Sequence, residues 1–186
     1  MFFFILIECG WVIQYMELLT LKQFDEVYQL FEEAFIPAEL RPYDRMKDLF
    51  SKNEFKIYIL KEKVKIIGAM IAWEFDDYIY LENFAVDSSL RGNGIGGTIL
   101  EYMKKVYHNK TIVLEVEEPV DDLTLRRIEF YKRHQWVLND YHFIQPLLRE
   151  NVDDVHLMLM SYPCILNHQQ CDKIKDELTR KVYKQK

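Results

Sequence analysis

The feature of this sequence that most constrains the fold is a cluster of glycines between a strand pattern and a helix pattern. Four of the six glycines in the chain lie within residues 92–97, after a strand pattern at residues 78–86. The apolar residues that follow, Ile99, Leu100 and Met103, have helical spacing. Glycine adopts positive φ without steric cost, so the backbone can turn sharply here and direct several N–H groups to one side. Because the helix start adds further unpaired N–H groups, this junction predicts a site for phosphate groups.

The patterns on both sides of the junction predict one α/β domain. Ahead of it, strand patterns lie at residues 17–20, 55–60, 65–75 and 78–86, and helical patterns at residues 21–35 and 43–50. After it, helical patterns at residues 96–107 and 121–133 alternate with strand patterns at residues 111–116, 136–144 and 155–160. Short polar links separate the three strands just before the junction, which indicates antiparallel hairpins.

The connection across the junction predicts a different pairing. A helix joins the strand at residues 78–86 to the strand at residues 111–116, so these two strands are expected to pair in parallel, with a right-handed crossover. We therefore predict an α/β fold with a mixed, mostly antiparallel central sheet, one parallel strand pair and flanking helices.

The two ends of the chain are predicted to be appendages. The apolar run near the start is interrupted early, so it falls short of the roughly 20 apolar residues of a membrane-spanning helix. After Pro163 the sequence turns polar, and a thin apolar stripe predicts a helix that begins after Asn167 and docks on its own domain. We expect an N-terminal extension or misassigned start at residues 1–15, a domain at residues 16–162 and a C-terminal helical appendage at residues 163–186.

Charge and cysteine content narrow the class of partner. A formal net charge of −6 disfavours nucleic acid as a partner and favours a cationic acceptor molecule. No membrane binding is expected. The three cysteines form no C-x-x-C pair, which suits a reducing compartment, so a cytoplasmic protein is expected. Cys164, His168 and Cys171 have neither a usual zinc spacing nor a clear fourth ligand, and we predict no metal site.

The glycine spacing admits a second interpretation. Gly92-x-Gly94-x-x-Gly97 has the spacing of a dinucleotide-binding loop, and Glu117 lies about 20 residues further on, where an acid that binds ribose is expected. In such an enzyme the loop follows the first strand of a parallel sheet, whereas three antiparallel strands are predicted ahead of it here. A dinucleotide-binding oxidoreductase is therefore the less favoured alternative.

Three segments share their pattern with one enzyme family. Arg91-x-x-Gly94-x-Gly96 matches a (Q/R)-x-x-G-x-(G/A) pyrophosphate loop, and Phe84-Ala85-Val86-Asp87 precedes it at the end of a strand. Arg127-Ile128-x-Phe130-Tyr131 is similar to an R-I-x-F-Y segment, and Leu114-Glu115-Val116-Glu117 is similar to the strand that follows the loop helix. In these segments and in the order of its elements, the chain resembles the GNAT superfamily of N-acetyltransferases over residues 16–160.

The resemblance implies acetyl-CoA bound where the two parallel strands splay apart. The backbone of Phe84 and Val86 would pair with the pantetheine amides, and the loop would hold the pyrophosphate. The residues that the resemblance places at the cofactor are Phe84, Ala85, Val86, Arg91, Gly92, Asn93, Gly94, Ile95, Gly96, Gly97, Thr98 and Tyr131. Two positions depart from the family pattern, because Gln135 replaces a glycine and Thr124 stands where many members have an asparagine that contacts the cofactor.

Acetyl transfer to an amine also needs groups that move protons. A primary amine with a pKa near about 10 is protonated at neutral pH, so a base must act before attack. Glu82 and Glu117 lie close to the predicted gap and are the candidate bases, and alternation along the strand puts Glu115 on the same face as Glu117. The resemblance places Tyr131 where the family has the acid that protonates the departing thiolate.

These observations predict an N-acetyltransferase in which an amine attacks acetyl-CoA directly in a ternary complex. A non-catalytic CoA-binding or regulatory domain of the same fold is the alternative, because a fold alone does not fix function. A polyamine, an aminoglycoside, an amino-acid amine and a protein N-terminus all stay open as the acceptor. Exposed strand edges and the C-terminal helix would also allow a homodimer.

Overall fold

The computed structural model describes residues 4–5 and 14–183; the rest of the predicted N-terminal extension, including Cys9, lies outside the described residues. The strands are β1 Phe4–Ile5, β2 Gln14–Leu18, β3 Phe55–Glu62, β4 Lys65–Glu74, β5 Tyr78–Val86, β6 Thr111–Glu117, β7 Val137–Ile144 and β8 His156–Tyr162. The helices are α1 Phe24–Ala34, α2 Tyr43–Asp48, α3 Ile95–Val106, α4 Asp122–Arg133 and α5 His168–Leu178.

The strands form one sheet in the order β1-β2-β3-β4-β5-β6-β8-β7. All neighbouring pairs are antiparallel except β5 and β6, which pair in parallel across the crossover helix α3. The predicted mixed, mostly antiparallel sheet with one parallel pair is confirmed. The parallel Rossmann sheet of the dinucleotide alternative is not the sheet of this chain.

Each face of the sheet has its own hydrophobic core. On one face, side chains such as Ile71 and Val113 pack against α1, α2 and α5. On the other face, side chains such as Leu81 and Leu114 pack against α3 and α4. Successive side chains of a strand point to opposite faces, so a strand that is covered on both faces needs apolar residues at almost every position. Strand β4 is of this kind, because all its residues except those at its two ends are buried.

The start of the described domain differs from the sequence-based prediction. The strand predicted at residues 17–20 lies at Gln14–Leu18, where Gln14 pairs with Glu62 and Leu18 with Tyr58 of β3. Thr20 is the N-cap of a 3₁₀ turn that leads into α1. The Gln23 side chain accepts a hydrogen bond from the Thr20 N–H, and the Gln23 N–H donates to the Thr20 carbonyl. Because β2 pairs with β3 and the cap ends the strand before Thr20, β2 lies closer to the N-terminus than the sequence predicts.

The C-terminal helix α5 begins after Asn167, as predicted, with the Asn167 side chain accepting a hydrogen bond from the backbone of Gln170. Its buried residues Cys171, Ile174 and Leu178 join the core beneath α1 and α2. Within residues 4–5 and 14–183, no helix is long and apolar enough to cross a membrane. The same residues contain no group of three His, Cys, Asp or Glu side chains arranged to hold a metal ion.

Candidate active site

The parallel strands β5 and β6 separate halfway along their length. They pair only from Tyr78 with Thr111 to Leu81 with Leu114. Beyond that point β6 continues along β8 as far as Glu117, while β5 continues along β4 as far as Val86. The edge of β5 that faces β6 is therefore unpaired over its last residues, which leaves backbone groups available to an added strand or ligand.

A β-bulge shapes the unpaired half of β5. Ala72 of β4 pairs with Leu81 and Met70 pairs with Phe84, so Ile71 lies opposite both Glu82 and Asn83. A bulge bends the strand and increases its twist, which turns the end of β5 away from β6. The sequence does not signal this bulge, since residues 78–86 form a continuous strand pattern.

The loop after β5 is fixed by Asp87. Its carboxylate accepts hydrogen bonds from the backbone and the hydroxyl of Ser89 and pairs with Lys65 at 2.6 Å. These contacts, with Lys65 the largest cause, lower the pKa of Asp87 to about 2. Asp87 thereby caps the 3₁₀ turn at Ser88–Leu90 and sets the direction in which the glycine loop leaves the strand.

The glycine loop has the backbone conformation that its sequence predicts. Gly92 and Gly94 have φ of +83° and +79°, values that residues with a side chain rarely adopt. A Cβ at either position would meet open space. Arg91 is exposed and its Nε donates to the carbonyl of Val86 at 3.3 Å. Asn93 is exposed and its side chain donates to the carbonyl of Leu90.

The start of α3 completes this side of the site. Gly94 is the N-cap, and the first bond of the helix runs from the Thr98 N–H to the Gly94 carbonyl at 3.0 Å. The N–H groups of Ile95, Gly96 and Gly97 precede that bond, so they are available to an anion together with the positive end of the helix dipole. The predicted phosphate-binding residues are thus contiguous, and those from Arg91 to Gly94 are exposed to solvent.

Gly96 and Gly97 have a second role, in packing. A Cβ on Gly96 would lie 3.1 Å from Phe130, and a Cβ on Gly97 would lie 2.6 Å from His134. Both neighbours belong to the C-terminal half of α4 and its cap. Because these glycines have no side chain, α3 and α4 approach closely beneath the loop, and Phe84 of β5 packs against Phe130 with ring centroids 6.4 Å apart.

Tyr131 is buried on the same face of the sheet as α3 and α4. Its ring packs against Phe130 and Trp136, and burial raises the pKa of its phenol to about 12. Helix α4 ends there in a Schellman motif, in which the Trp136 N–H donates to the Tyr131 carbonyl and the Gln135 N–H to the Lys132 carbonyl. Gln135 holds the left-handed position with φ of +66°, which explains why the family pattern has glycine there.

The other departure from the family pattern, Thr124, belongs to the start of α4. It is 4% exposed, and its hydroxyl and N–H bond to Asp121 in a capping box. The predicted base Glu117 forms an ion pair with Arg127 of the same helix. Thr124 and Glu117 therefore both have partners within the protein.

The opposite face of the sheet carries a buried polar cluster near the bulge. Glu82, the other predicted base, accepts hydrogen bonds from Arg41 at 2.8 Å and from the Trp73 indole at 2.7 Å. The side chains of Arg41 and Glu82 are only 4% and 6% exposed. A buried pair of this kind is held by the mutual neutralisation of its charges, and loss of either partner would leave the other charge buried and unpaired.

Glu115 is the second carboxylate of this cluster. One of its oxygens, Oε2, accepts hydrogen bonds from the phenols of Tyr80 and Tyr183, while Oε1 is buried and has no hydrogen-bond partner among the residues that the structure describes. Burial raises the pKa of Glu115 to about 7, although the hydrogen bonds from Tyr183 and Tyr80 act in the opposite direction. The strand alternation noted in the sequence places Glu115 on this face, but no sequence signal indicates Arg41 or Tyr183 as its neighbours.

The comparison with protein families decides among the interpretations of this geometry. The sequence model of the Acetyltransferase (GNAT) family matches residues 24–135, more than half of the chain. The chain belongs to the GNAT acetyltransferase family. The matched region contains the glycine loop, the gap between β5 and β6, and Tyr131, but it ends before α5.

Two relatives agree with the assignment. The chain is 33% identical over 119 residues to YjbC of Bacillus subtilis (strain 168), a protein assigned as an acetyltransferase, and the match covers 62% of this chain and 54% of YjbC. The chain thus spans about half the length of that curated relative. A Bacteroides thetaiotaomicron protein assigned to the GNAT acetyltransferases has a solved structure with a TM-score of 0.83, 29% identity, and coverage of 90% of this chain and 97% of that chain.

A more distant GNAT structure shows the shared fold. It is an aminoglycoside 6′-N-acetyltransferase complexed with coenzyme A, with a TM-score of 0.58, 16% identity, and coverage of 78% of this chain and 94% of that chain. At this identity the likeness concerns the fold alone.

Proposed function

We propose that this GNAT protein is an N-acetyltransferase that moves an acetyl group from acetyl-CoA to a primary amine by direct attack in a ternary complex. The observation that carries the proposal is the gap between β5 and β6. Tyr131 and the helix that follows the glycine loop belong to one face of the sheet. Glu82 and Glu115 follow the last pair of β5 and β6, and their partners Trp73 and Tyr80 belong to the other face. A donor and an acceptor could thus approach from opposite faces and meet where the sheet is open.

The residues on the loop side fit acetyl-CoA. The backbone of Phe84 and Val86 does not pair with β6, so it offers hydrogen-bonding groups to an extended amide chain, as an added strand would use them. The Val86 carbonyl already accepts a hydrogen bond from Arg91 Nε, so the amide chain would share or replace that contact. The open space at Gly92 and Gly94 lets phosphate oxygens approach the backbone, and Arg91 supplies a positive charge. When bound, acetyl-CoA supplies a thioester carbonyl that an amine can attack.

The chain must also remove a proton from the amine and provide one to the leaving sulfur. Tyr131 holds a proton on a buried phenol whose pKa is raised to about 12, and it is the proposed acid. Glu82 and Glu117 are the bases proposed from the sequence, but each is ion-paired, with Arg41 and Arg127. Glu115 has a buried oxygen that no described residue hydrogen-bonds, and burial raises its pKa to about 7, so its surroundings favour it as the proton acceptor.

The charges of the cluster agree with a cationic acceptor. Glu82 is balanced by Arg41, which leaves Glu115 to attract an ammonium group when it is ionised. A small-molecule or peptide amine carrying a single charge fits this balance. The identity of that amine is a matter for an acceptor panel.

The test combines cofactor binding with turnover. Wild-type protein should bind acetyl-CoA in a calorimetric titration and release free CoA thiol with at least one amine of a chemically broad panel. Gly94→Val should abolish binding, because a β-branched residue is strained at φ of +79° and fills the space for phosphate.

Lys63→Val is the matched control. Lys63 also has positive φ, 56°, but lies in the turn between β3 and β4, so this variant carries similar strain and should still bind acetyl-CoA. Unchanged affinity in a folded Gly94→Val protein would overturn the assignment of the loop. Binding without thiol release from any amine would favour the non-catalytic CoA-binding alternative.

A further inference from the structure

The segment after β8 lies outside the region that matches the family. It consists of α5 and one π-helical turn, Thr179–Tyr183. Apolar residues of the segment, among them Leu178 and Val182, are buried in the core with α1 and α2. Lys173 pairs with Asp77 at 2.5 Å at the start of β5. The segment is thus docked along its length rather than at one point.

The π-helical turn brings Tyr183 to the polar cluster. Its phenol donates a hydrogen bond to Oε2 of Glu115, and its oxygen lies 3.4 Å from that of Tyr80. The Arg41 guanidinium carbon lies 6.0 Å from the centre of the Tyr183 ring. Tyr183 is 7% exposed, Arg41 is 3% and Tyr80 is 1%, so these three side chains leave little space beside Glu115.

We propose that Tyr183, supplied by the C-terminal segment, is a positioning and specificity-determining residue of the acceptor site. Its phenol orients the Glu115 carboxylate, and its ring closes the acceptor face, so that the site accepts small amines and excludes bulky ones. The proposal rests on the proposed function, and it concerns a residue beyond residues 24–135, which the family model matches.

The hydrogen-bond geometry explains how Tyr183 could act. Tyr80 and Tyr183 both donate to Oε2 of Glu115, and within residues 4–5 and 14–183 no group donates to the buried Oε1. A carboxylate held through one oxygen presents the other in a fixed direction. An amine N–H that bonds to Oε1 would satisfy the remaining buried acceptor, which is costly to leave unpaired.

The first experiment follows Glu115 directly and needs no acceptor. The ¹³C chemical shift of the Glu115 carboxyl carbon is followed by NMR as a function of pH in wild type and in Tyr183→Phe. The signal is assigned by its loss in Glu115→Gln. Loss of a hydrogen bond to the charged form should raise the pKa of Glu115 by about one unit. An unchanged titration curve would show that Tyr183 does not hold the carboxylate, and it would overturn the positioning role.

Tyr141→Phe is the matched control for this experiment. The Tyr141 phenol donates to Asp172 of α5 at 2.7 Å, so the variant also removes one phenol contact between the sheet and the C-terminal segment. It leaves the contacts of Glu115 intact. Its titration curve should therefore match that of wild type, and an equal shift in both variants would indicate a general loosening of the segment.

The second experiment tests specificity. Tyr183→Ala should raise kcat/KM for a bulky amine about tenfold relative to a small amine of the same charge, a change typical of a steric restriction in a binding pocket. Affinity for acetyl-CoA, measured by calorimetry on the same protein, should stay unchanged. An unchanged ratio of the two amines would overturn the specificity role.

The two experiments separate this inference from the proposed function. Absence of acetyl-CoA binding in the wild-type protein would refute the proposed function, whatever the titration of Glu115 shows. Normal binding and turnover, with no effect of Tyr183→Phe on the titration or of Tyr183→Ala on selectivity, would refute the inference alone.

Discussion

The loop side and the acceptor side of the candidate site are built in opposite ways. The loop side is one contiguous stretch after β5, in which exposed backbone groups and glycine conformations provide the binding surface. The acceptor side consists of Arg41, Glu82, Glu115 and Tyr183, which come from distant parts of the chain and are held by buried charges and hydrogen bonds. A ligand for the first side is recognised by local geometry, and a ligand for the second by tertiary structure.

This difference has an energetic consequence. Side chains of the loop are exposed, so changing them should affect ligand affinity more than stability. The polar groups of the acceptor side are buried, so changing them alters stability as well as chemistry. Measuring both quantities for each variant therefore tests whether the two sides differ as the structure indicates.

The largest effect is expected for Tyr131→Phe. The change keeps the ring that packs against Phe130 and Trp136, but it removes the proton donor. Turnover should fall by roughly 10²-fold to 10⁴-fold, while the dissociation constant of acetyl-CoA stays near that of wild type. Both are measured on one preparation, with the amine that the panel identifies.

The control for this variant is Tyr102→Phe. Tyr102 is a buried phenol of α3 in the same hydrophobic cluster, and it packs against Tyr58. Loss of the Tyr102 hydroxyl should leave turnover unchanged. An unchanged kcat in Tyr131→Phe would remove Tyr131 from the proposed chemistry and leave it a core residue.

The second prediction concerns the acceptor side and the way the free energy of unfolding depends on pH. Glu115 titrates at about 7 in the folded protein and at 4.5 as an unperturbed group, so the folded state favours its protonated form. The contribution of Glu115 to stability is therefore fully present below pH 4.5 and is lost as the pH rises to about 7. The loss is on the order of 3 kcal/mol, at about 1.4 kcal/mol per pKa unit.

Glu115→Gln should remove this pH dependence, because the amide does not ionise. Urea unfolding from pH 4 to pH 8 measures the effect, and the variant should be more stable than wild type at pH 8 but not at pH 4. Glu150→Gln changes an exposed carboxylate and should keep the wild-type slope. A wild-type slope in Glu115→Gln would mean that Glu115 is ionised as readily in the folded as in the unfolded chain.

The third prediction concerns the loop side, where a substitution should change the affinity for acetyl-CoA but leave the free energy of unfolding unchanged. Arg91→Ala should weaken acetyl-CoA binding about tenfold at low salt, as expected for loss of a charged contact to phosphate. The difference should shrink as salt is added, because the contact is exposed and screened. Arg45→Ala, an exposed arginine on α2, should bind as wild type. A salt-independent loss would argue for a change in loop structure instead.

The same contrast, between local geometry and tertiary structure, explains which features of the fold and the site can be predicted from the sequence. The order of the elements and the parallel pair followed from periodicity and from the lengths of the links, which are local properties. The positive φ of Gly92 and Gly94 followed from the clustering of glycines. The bulge in β5 and the contact between Glu115 and Tyr183 depend on strand register and on the docking of α5, and neither leaves a local pattern.

The smallest effect concerns Gln135, one of the two positions that depart from the family pattern. Gln135 occupies the left-handed position of the Schellman motif that ends α4, and there a side chain costs roughly 1–2 kcal/mol, whereas glycine fits but loses more chain entropy. Gln135→Gly should therefore stabilise the protein by about 1 kcal/mol, seen as a higher urea midpoint with an unchanged slope. Gln135 is exposed, and the backbone bond between Trp136 and Tyr131 is kept, so turnover should not change. A lower midpoint, or a loss of turnover at unchanged stability, would show that the glutamine side chain itself contributes to the position of Tyr131.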